Sequence, residues 1–466
     1  MEYRNEKLEE FNNFVKNKKV AIIGLGVSNI PLLDYFHELN SKISVFDNRE
    51  KEELDSTIIN KIYNYGITYY GGKNNLENLN GFDIIFRSPS VMPYREELKK
   101  EADRGAIITT EIEMVLKLTP SKTIGITGTE GKTTTTSIIY EIIKKAGYNC
   151  FLGGNIGKPI FTLVKDMTPD DVIILEMSSF QLTNMDVSPD ISVVTNIFPD
   201  HLNVHSSYEE YREQKKNIFK YQSEKGITVL NYDNEFTRQF AKETNGKVIF
   251  FSSKEKLEDG YIYDTSDETI KYCEDGVRRH LIKKGDIKLR GIHNYENICA
   301  ALAATKTLVD IDTAVETIKN FKGVEHRLEF VRELNNVKWY NDSIGTSPAS
   351  TIAGLNAFNE DIILLAGGSD KGLDYKEVGE AIAKKVRTLI LTGPTATKIE
   401  EATRNAVNGD KVEICFVENL EEAVKLANKK ARKGDIVLLS PASASFDAFK
   451  NFEDRGNKFK EFTNAL

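Results

Sequence analysis

Cysteine is scarce in this sequence of 466 residues, and no two cysteines form a CxxC pair. The four cysteines are Cys150, Cys273, Cys299 and Cys415. Cysteines so far apart argue against a zinc knuckle or a disulfide framework and fit a reducing compartment. The sequence also lacks a basic-then-apolar signal pattern at residues 1–14, and its longest apolar runs, such as 20–26 and 361–368, are far shorter than the ~20 residues that span a bilayer. We therefore expect a cytoplasmic protein with no membrane partner.

An excess of basic residues is absent too. Lys and Arg number 62 against 70 for Asp and Glu, so the formal net charge is −8. Proteins that bind nucleic acid or acidic membranes need a basic surface, so neither partner is expected. Small phosphorylated ligands remain possible, because a local lysine cluster can lie in an acidic protein.

Short β-branched runs that end in Gly or Asp alternate with amphipathic stretches along almost the whole chain. Examples are KVAIIGLG, KISVFD, FDIIFRSPS, TIGITGTEG, DVIILEM, ISVVTNI, DIILLAGG, RTLILTG and DIVLLSPAS. Continuous apolar strands followed by helical segments are typical of βα units on buried parallel sheets, so the predicted fold class is α/β.

The length predicts about three domains. A predicted helix at 111–118 puts the first boundary near Thr110, and a helical run at 294–321 puts the second near Gly323. Residues 246–290 contain short polar strands with turn residues between them. We interpret them as a small antiparallel insertion in the middle domain.

A glycine-rich turn follows the first predicted strand, with glycines at Gly24 and Gly26. A second predicted strand at 43–46 ends in Asp47, about 20 residues on, as in sites that bind a pyrophosphate and a ribose. Asn29 stands where the third glycine of GxGxxG would be. The motif is compatible with an NAD site, with a plain βα turn, or with another phosphorylated ligand at the helix N-terminus.

A second glycine-rich loop, GTEGKTT at 128–134, lies between a predicted strand and a helix that continues to Lys145. Backbone N–H groups of such a loop point at phosphate oxygens, Lys132 reaches the β and γ phosphates, and Thr133 can bind Mg²⁺. The strict GxxxxGK[ST] pattern fails, because Ile126 occupies the first glycine position. A chance Gly-Lys-Thr at a helix start is the alternative, but the strand, turn and helix together predict an ATP site.

Candidate metal ligands follow the ATP loop. Glu176 ends a predicted strand, where a carboxylate can hold Mg²⁺ directly or through water, although a carboxylate in such a place is more often simply solvated. His201 and His205 have the i, i+4 spacing of zinc ligands, but no third ligand of the HExxH type follows them. A surface histidine pair is the alternative.

Six segments resemble the ATP-dependent Mur ligases of peptidoglycan synthesis, in order and spacing across essentially the whole chain. They are TGTEGKTT (127–134), GGNIGKP (153–159), EMSSFQL (176–182), NIFPDHLNVH (196–205), GIHNYENICAA (291–301) and GVEHRLE (323–329). The resemblance implies a Rossmann-like UDP-substrate domain, a central P-loop ATPase-like domain with the small antiparallel insertion, and a C-terminal Rossmann-like amino-acid-binding α/β domain. These would span 1–110, 111–323 and 324–466.

Two C-terminal segments resemble the members of this family that add D-glutamate: LLSPASASFDAFKNFEDRG (438–456) and NDSIGTSP (341–348). The first domain is also of the kind whose glycine loop binds the UDP of the substrate instead of NAD. The resemblance therefore implies ATP-dependent amide formation between UDP-N-acetylmuramoyl-L-alanine and D-glutamate through an acyl phosphate. It further implies two Mg²⁺ ions and a cytoplasmic enzyme that binds small molecules only, and we expect a monomer.

The resemblance also implies roles for individual residues. Catalysis is expected from Lys132, His201, Lys215 and Lys371. ATP is expected to contact Gly128, Thr129, Glu130, Gly131, Lys132, Thr133, Thr134, Asn294, Asn297, Arg327 and Asp342. Mg²⁺ is expected on Thr133, Glu176, His201 and a carbamylated Lys215, with Lys216 as the alternative lysine. The substrates are expected to contact Val27, Ser28, Asp47, Asn48, Arg49, Ser88, Asn155, Thr346, Lys371, Ser445, Phe446 and Phe452.

D-glutamate has two carboxylates, so its pocket needs cationic and hydroxyl donors. We assign Lys371 to a carboxylate, Thr346 and Ser445 to the hydroxyl donors, and Phe446 and Phe452 to the walls. All of these except Phe452 lie just after a predicted strand of the third domain, and in an open α/β sheet the carboxyl ends of strands form the ligand crevice. A solvated loop lysine and a helix N-cap serine are the alternative interpretations.

The sequence departs from the family pattern at four places. Glu130 stands where the family often has Asn, Ile344 where many members have Lys, Ser369 varies the GGxDK segment, and SPS at 88–90 replaces SPG. Three other functions remain open: a folylpolyglutamate synthase-like ligase, an NAD-dependent oxidoreductase, and a non-enzymatic P-loop switch protein. The oxidoreductase leaves GTEGKTT unused, and the switch protein does not account for the third domain.

Overall fold

The computed structural model describes residues 3–199, 207–370 and 372–466. The chain forms two compact units: Met1–Ile287 with Ile292–Asn320, and Lys288–Gly291 with Phe321–Leu466. Two sheets lie in the first unit and one in the second. Within the described ranges, no helix is both long and apolar enough to cross a membrane.

The N-terminal sheet of the first unit is entirely parallel, with strand order β3-β2-β1-β4-β5. Its strands are β1 (Lys19–Ile23), β2 (Lys42–Phe46), β3 (Thr68–Tyr70), β4 (Ile84–Arg87) and β5 (Ile107–Thr109). Its helices are α1 (Glu6–Val15), α2 (Ile30–Glu38), α3 (Ser56–Asn64) and α4 (Glu96–Asp103). The central strands β1 and β4 are apolar and almost completely buried, as expected for strands covered on both faces.

The second sheet of this unit, called the central sheet below, has nine strands in the order β14-β13-β12-β11-β10-β9-β6-β8-β7. The strands are β6 (Lys122–Thr127), β7 (Cys150–Gly154), β8 (Val172–Glu176), β9 (Ile191–Val194), β10 (Ile227–Asn231), β11 (Lys247–Ser252), β12 (Gly260–Asp264), β13 (Thr269–Glu274) and β14 (Val277–Lys283). The helices are α5 (Glu111–Leu118), α6 (Lys132–Lys145), α7 (Ser179–Leu182), α8 (Tyr208–Lys216), α9 (Glu235–Phe240), α10 (Ile292–Thr305) and α11 (Ile311–Asn320).

The small antiparallel insertion predicted at 246–290 is confirmed for three strands and is wrong for the strand β11. The strands β12, β13 and β14 are antiparallel to one another, but β11 pairs in parallel with both β10 and β12. Residues 246–290 therefore extend the central sheet. Short polar strands indicate pairing at a sheet edge, but they do not reveal which sheet they join.

The second unit has a mixed six-stranded sheet in the order β15-β16-β20-β17-β18-β19. Only β15 and β16 pair in an antiparallel manner. The strands are β15 (Glu329–Leu334), β16 (Val337–Asn341), β17 (Ile362–Ala366), β18 (Val386–Leu391), β19 (Glu413–Phe416) and β20 (Ile436–Leu439). The helices are α12 (Pro348–Asn356), α13 (Lys376–Lys385), α14 (Ala396–Arg404), α15 (Leu420–Lys430) and α16 (Phe452–Asn464). Short 3₁₀ turns occur at Lys51–Glu53, Asn75–Asn78, Phe161–Asp166, Lys284–Asp286 and Gly409–Lys411.

Aromatic packing connects the two sheets of the first unit. The ring of Phe161 lies 6.1 Å from Phe11, 4.9 Å from Tyr35 and 5.9 Å from Phe86, measured between ring centroids. Edge-to-face pairs at these distances stabilise a core beyond the area they bury. Beside this cluster, the buried Arg87 at the end of β4 donates to the carbonyl of Thr183, 2.7 Å away. This bond joins the end of β4 to the segment that follows α7.

Candidate functional site

The predicted phosphate loop, residues 128–134, connects β6 to α6 and approaches its neighbours closely. Gly128 and Gly131 have φ values of 150° and 80°. A Cβ at Gly128 would lie 1.9 Å from the Thr195 hydroxyl, and one at Gly131 would lie 2.3 Å from Asn297 Oδ1. The N–H of Thr129 donates to the carbonyl of Asn196 at 2.9 Å, which anchors the loop to the end of β9. The helix behind the loop presents an N-terminus, where orphan N–H groups and the dipole favour anions.

Lys132 begins α6 and folds back over this loop. Its Nζ donates to the carbonyls of Thr129 at 2.7 Å and Gly128 at 3.1 Å. Thr133 follows it and is partly exposed, whereas Thr134 is buried. The ammonium is therefore held at the mouth of the phosphate loop, where it can meet a polyphosphate.

Glu176, at the carboxyl end of β8, has one carboxylate oxygen with no hydrogen-bond partner in the described part of the chain. The side chain is 1% exposed, and Ile126 of the neighbouring strand β6 lies directly opposite it. Its Oε1 accepts from Asn155 Nδ2 at 2.8 Å, while its buried Oε2 has no hydrogen-bond partner among the described residues. A buried unpaired carboxylate oxygen is costly unless a cation meets it, so Glu176 fits Mg²⁺. Asn155 orients Glu176 through this bond, and its predicted contact with substrate stays a prediction.

Lys215 and Lys216 are adjacent on α8 and differ completely in environment. Lys215 is 2% exposed, and its Nζ donates to the Gly128 carbonyl at 2.9 Å and to the Thr127 hydroxyl at 3.3 Å. Lys216 instead forms ion pairs with Glu213 and Glu243, both at 2.7 Å. Of the two predicted candidates, only Lys215 therefore reaches the phosphate loop.

Other predicted ligands lie outside the described residues. His201, His205 and Lys371 are among these, so their roles stay predictions. Within the described ranges, no group of three or more His, Cys, Asp or Glu side chains could hold a metal ion. A metal site near Glu176 would therefore need hydroxyl or carbamate oxygens, or ligands from outside those ranges.

The helix α10 packs beside the phosphate loop. Asn297 Oδ1 accepts from the Thr135 hydroxyl at 3.3 Å and lies against Gly131, and its Nδ2 donates to Asn294 Oδ1 at 3.3 Å. Both asparagines are buried. Sequence reasoning assigned them to adenine, and that contact stays a prediction; the bracing of the phosphate loop by Asn297 could not be predicted from the motif.

The first glycine turn is held by Asp47. Its Oδ2 accepts from the N–H of Leu25 at 2.7 Å, and its Oδ1 accepts from Arg49 Nε at 2.8 Å. Burial opposes ionisation, but the hydrogen bonds from Arg49 and Leu25 outweigh it and lower the pKa of Asp47. Asn29, at the missing third glycine, donates to the carbonyls of Ile23 and Gly24 and so braces the turn.

Further predicted substrate residues gather at this edge of the N-terminal sheet. Ser88 packs against Gly24, where a Cβ would come within 2.9 Å of it, and its hydroxyl lies 3.1 Å from that of Ser90. Asn48 Oδ1 accepts from Asn75 Nδ2 at 3.0 Å. Val27 is 74% exposed, as suits a residue that meets a ligand. Three loops therefore converge at the carboxyl ends of parallel strands.

In the second unit, Asp342 is buried and already has two donors. Its Oδ1 accepts from the N–H of Leu328 at 3.2 Å and its Oδ2 from the Ser440 hydroxyl at 2.7 Å. Burial raises the pKa of Asp342 to about 6, although Ser440 and Arg327 act in the opposite direction. Arg327 is partly exposed, with its Nε buried and unpaired among the described residues. Their predicted contacts with ATP stay predictions.

Sequence reasoning missed Arg455. Its guanidinium is buried and donates to the Ser343 hydroxyl at 3.0 Å, to the Ser343 carbonyl at 2.9 Å, and to the carbonyls of Ser443 and Ala444 at 3.1 Å each. Burial lowers the pKa of Arg455 to about 10. The signal available in the sequence was its place next to Gly456, at the end of the segment 438–456 that resembles the family. Arg455 joins the loop that carries Thr346 to the loop that carries Ser445 and Phe446.

The remaining predicted amino-acid contacts lie on these loops. Ser445 is buried, Phe446 is 71% exposed, and Phe452, the first residue of α16, is partly exposed. The Phe452 carbonyl accepts from the Ser343 hydroxyl at 2.7 Å. Hydrogen bonds inside the second unit therefore connect three segments that carry predicted pocket residues: 341–348, 443–446 and the start of α16.

Family models match most of the chain. They are the Mur ligase MurD-like N-terminal domain at residues 18–110, the Mur ligase middle domain at 126–305, and the Mur ligase glutamate ligase domain at 326–443. The chain is 46% identical over 466 residues to the UDP-N-acetylmuramoylalanine--D-glutamate ligase of Acetivibrio thermocellus, covering 99% of each chain. It is 45% identical over 459 residues to the enzyme of that name from Clostridium botulinum strain 657, covering 98% of this chain and 99% of the relative.

Solved structures share the fold at lower identity. UDP-N-acetylmuramate-alanine ligase MurC from Thermotoga maritima aligns with a TM-score of 0.58 at 17% identity, covering 96% of this chain and 99% of that one. MurF ligase from Thermotoga maritima, in complex with ADP, aligns with a TM-score of 0.55 at 19% identity, covering 97% of each. The predicted α/β architecture of three domains is thereby confirmed, and the chain belongs to the Mur ligase family.

Proposed function

We propose that this chain is an ATP-dependent ligase that joins D-glutamate to UDP-N-acetylmuramoyl-L-alanine in peptidoglycan synthesis. Relatives named for this reaction are 45–46% identical across almost the whole chain. The observation that carries the proposal is the edge of the central sheet, where the phosphate loop, Lys132 and the unpaired Glu176 oxygen come together. A loop for phosphate and an anion for a metal at one sheet edge suit phosphoryl transfer.

ATP binding is supported by the loop at 128–134 and by the helix N-terminus behind it. Lys132 supplies a positive charge at the loop mouth, which offsets the repulsion between a carboxylate nucleophile and a polyphosphate. The ADP complex of the Thermotoga maritima MurF ligase supports a nucleotide in this fold.

Metal binding is supported by Glu176. The Thr133 hydroxyl, which follows Lys132 in the phosphate loop, is proposed as a second ligand. When bound, Mg²⁺ neutralises phosphate charge during transfer. His201 and a carbamylated Lys215 are proposed as further ligands. A free lysine ammonium cannot bind a cation, whereas carbamylation converts it into an anion with two oxygens. The burial of Lys215 beside Gly128 supports this choice over Lys216.

The nucleotide sugar is proposed to bind at the N-terminal sheet. The parallel order β3-β2-β1-β4-β5 supports a Rossmann-like sheet, and ligands of such sheets bind at the carboxyl ends of the strands. The loops at that edge carry the predicted contact residues Val27, Ser28, Asn48, Arg49 and Ser88. Asp47 acts by holding the turn in place through Leu25 and Arg49.

The amino acid is proposed to bind on loops of the second unit, to Lys371, Thr346, Ser445, Phe446 and Phe452. The carboxylate of the nucleotide sugar attacks the γ-phosphate of ATP to give an acyl phosphate and ADP. The amine of D-glutamate then attacks the acyl carbon, a proton leaves the nitrogen, and inorganic phosphate departs. Thr346 and Ser445 would orient the amino acid so that its amine faces the acyl carbon.

An omission assay tests this proposal. ADP release should require the nucleotide sugar and should be completed only when D-glutamate is present. Lys132→Ala should lower turnover by ~10²-fold or more without unfolding the protein, because it removes charge at the phosphates. Turnover without the nucleotide sugar, or near-wild-type turnover in Lys132→Ala, would contradict the assignment.

A further inference from the structure

Ser369, in the loop after β17, hydrogen-bonds the chain on both sides of Ser445 and Phe446. Its N–H donates to the carbonyl of Ala444 at 2.9 Å, which forms an isolated antiparallel bridge. Its hydroxyl accepts from the N–H of Asp447 at 2.6 Å and donates to Asp447 Oδ1 at 3.0 Å. One side chain and one amide therefore fix the backbone immediately before and after this pair of residues.

The close approach of the two loops is built into the chain. A Cβ at Gly368, whose φ is 146°, would lie 2.2 Å from the Ala444 carbonyl oxygen, so only glycine fits there. From the interior, Arg455 donates to the carbonyls of Ser443 and Ala444 at 3.1 Å each. These bonds hold the chain before Ser445. After it, the carbonyl of Ser445 accepts from the N–H groups of Ala448 and Phe449, and the Ser369 hydroxyl adds the bonds to Asp447.

We propose that Ser369 is a positioning residue for the amino-acid substrate, acting through Ala444 and Asp447 on the direction of Ser445 and Phe446. The inference rests on the proposed D-glutamate ligase function and deepens it. Phe446 is 71% exposed, so packing does not fix its direction, and the backbone on either side must do so. The Ser445 hydroxyl follows the same backbone.

Ser369 lies close to one predicted pocket residue in the sequence and is hydrogen-bonded beside two others in the structure. It precedes Lys371 by two residues in the sequence, while its partners flank Ser445 and Phe446. Ser369 is also one of the positions where this chain departs from the family pattern. Loss of the Ser369 hydroxyl should let the chain at Asp447 move, because both bonds to Asp447 are lost. A shift of ~1 Å in a substrate-positioning group can cost ~10²-fold in rate.

The test compares Ser369→Ala with Ser369→Thr. Ser369→Ala removes the hydroxyl but keeps the N–H that bridges to Ala444. At saturating ATP and nucleotide sugar, its KM for D-glutamate should rise ~10-fold, while its KM for ATP and its thermal midpoint stay at wild-type values. Ser369→Thr keeps a hydroxyl and should restore most of the D-glutamate affinity.

Lys398→Gln is the matched control. It removes the ion pair of Lys398 with Asp370 (2.6 Å), the residue after Ser369, without touching the bonds to Ala444 or Asp447. Its KM for D-glutamate should stay within about twofold of wild type, as expected for an exposed ion pair. A rise equal to that of Ser369→Ala would show that any disturbance of the loop has the same effect and would overturn the inference.

A second readout does not depend on the substrate. The Asp447 amide hydrogen is bonded to the Ser369 hydroxyl, so its exchange with solvent deuterium should be faster in Ser369→Ala and unchanged in Ser369→Thr. Unchanged exchange, an unchanged KM for D-glutamate, or an equal rise in the KM for ATP would each overturn the inference. A wild-type protein that does not use D-glutamate would instead contradict the proposed function.

Discussion

At the scale of single residues, the adjacent lysines of α8 provide a matched pair of variants. Lys215 is buried against the Gly128 carbonyl, whereas Lys216 pairs with Glu213 and Glu243. If a carbamate on Lys215 binds Mg²⁺, Lys215→Ala should lose ~10²-fold or more in turnover, since a charge that stabilises the transition state is removed. Lys216→Ala should keep wild-type turnover. ADP release measures both.

Chemical rescue distinguishes the state of Lys215. Acetate added to Lys215→Ala should restore part of the activity, because a small carboxylate can occupy the vacated space and replace the missing anion. Rescue by small amines instead would show that an unmodified ammonium is the working species.

Asp342 makes stability depend on pH. Its folded pKa is raised to about 6 from 3.8, mainly by burial, so the folded state binds the proton more tightly than the unfolded state. The free energy of unfolding therefore falls by on the order of 2 kcal/mol as pH rises from about 4 to above 6. Asp342→Asn lacks this effect and should gain stability relative to wild type over that interval. Denaturant unfolding at about pH 4.5 and about pH 7.5 measures the difference, and a pH-independent difference would contradict it.

Glu176 offers a prediction about metal and stability together. Its buried Oε2 has no partner among the described residues, so Glu176→Gln removes an uncompensated negative charge. Without Mg²⁺, the thermal midpoint of the variant should equal or exceed that of wild type. Its turnover should require a much higher Mg²⁺ concentration. A lower midpoint with an unchanged Mg²⁺ requirement would assign Glu176 to the fold alone.

Residue spacing located the site better than it assigned roles. The motif 128–134 was correctly placed between a strand and a helix. Lys215 was preferred to Lys216 because of its spacing from His201, and the burial of Lys215 agrees with that preference. The partners of Asn155 and Asp47 could not be predicted, because a motif gives chain positions and not which oxygen each donor meets. Arg455 was missed because the loops it joins are more than 100 residues apart in sequence, as in its bond to Ser343.

At the scale of elements, the start of α6 depends on glycine at position 131. A Cβ there would lie 2.3 Å from Asn297 Oδ1, and φ is 80°, so Gly131→Ala combines a clash with backbone strain. Gly147, at the other end of α6, has φ 92°, and a Cβ added there would meet nothing within 4 Å. Gly147→Ala should therefore cost only about 1 kcal/mol, while Gly131→Ala should cost more and lose nucleotide binding.

Titration with a fluorescent ADP analogue and thermal unfolding measure both variants. If Gly131→Ala bound the analogue as tightly as Gly147→Ala does, the phosphate-loop assignment would be wrong. Comparing the two variants isolates the effect of the clash with Asn297, because both glycines have a positive φ.

Strand prediction was most successful where strands are buried on both faces. The runs that became β1, β6, β17 and β20 were all predicted, because continuous apolar runs between turns allow few other structures. The helical run at 294–321 proved to be two helices, α10 and α11. The strands at 246–290 were found, but their sheet was not, because edge pairing depends on partners far away in the chain.

At the scale of the whole molecule, similarity to the D-glutamate-adding ligases extends over 98–99% of this chain. Binding residues for the sugar nucleotide, ATP and the amino acid are proposed on three different sheets. An assembly of this kind has to be tested on the complete reaction, because binding of any one substrate does not involve all three sheets.

The most direct measurement is mass spectrometry of the product formed from ATP, UDP-N-acetylmuramoyl-L-alanine and an amino acid. With D-glutamate, the nucleotide sugar should gain one glutamyl residue, with one ADP and one phosphate released for each. L-glutamate and D-aspartate should give little product, because either change moves the amine or a carboxylate from its place, and such misplacement can cost ~10²-fold. Equal incorporation of L-glutamate, or ADP release without a glutamylated product, would contradict the account.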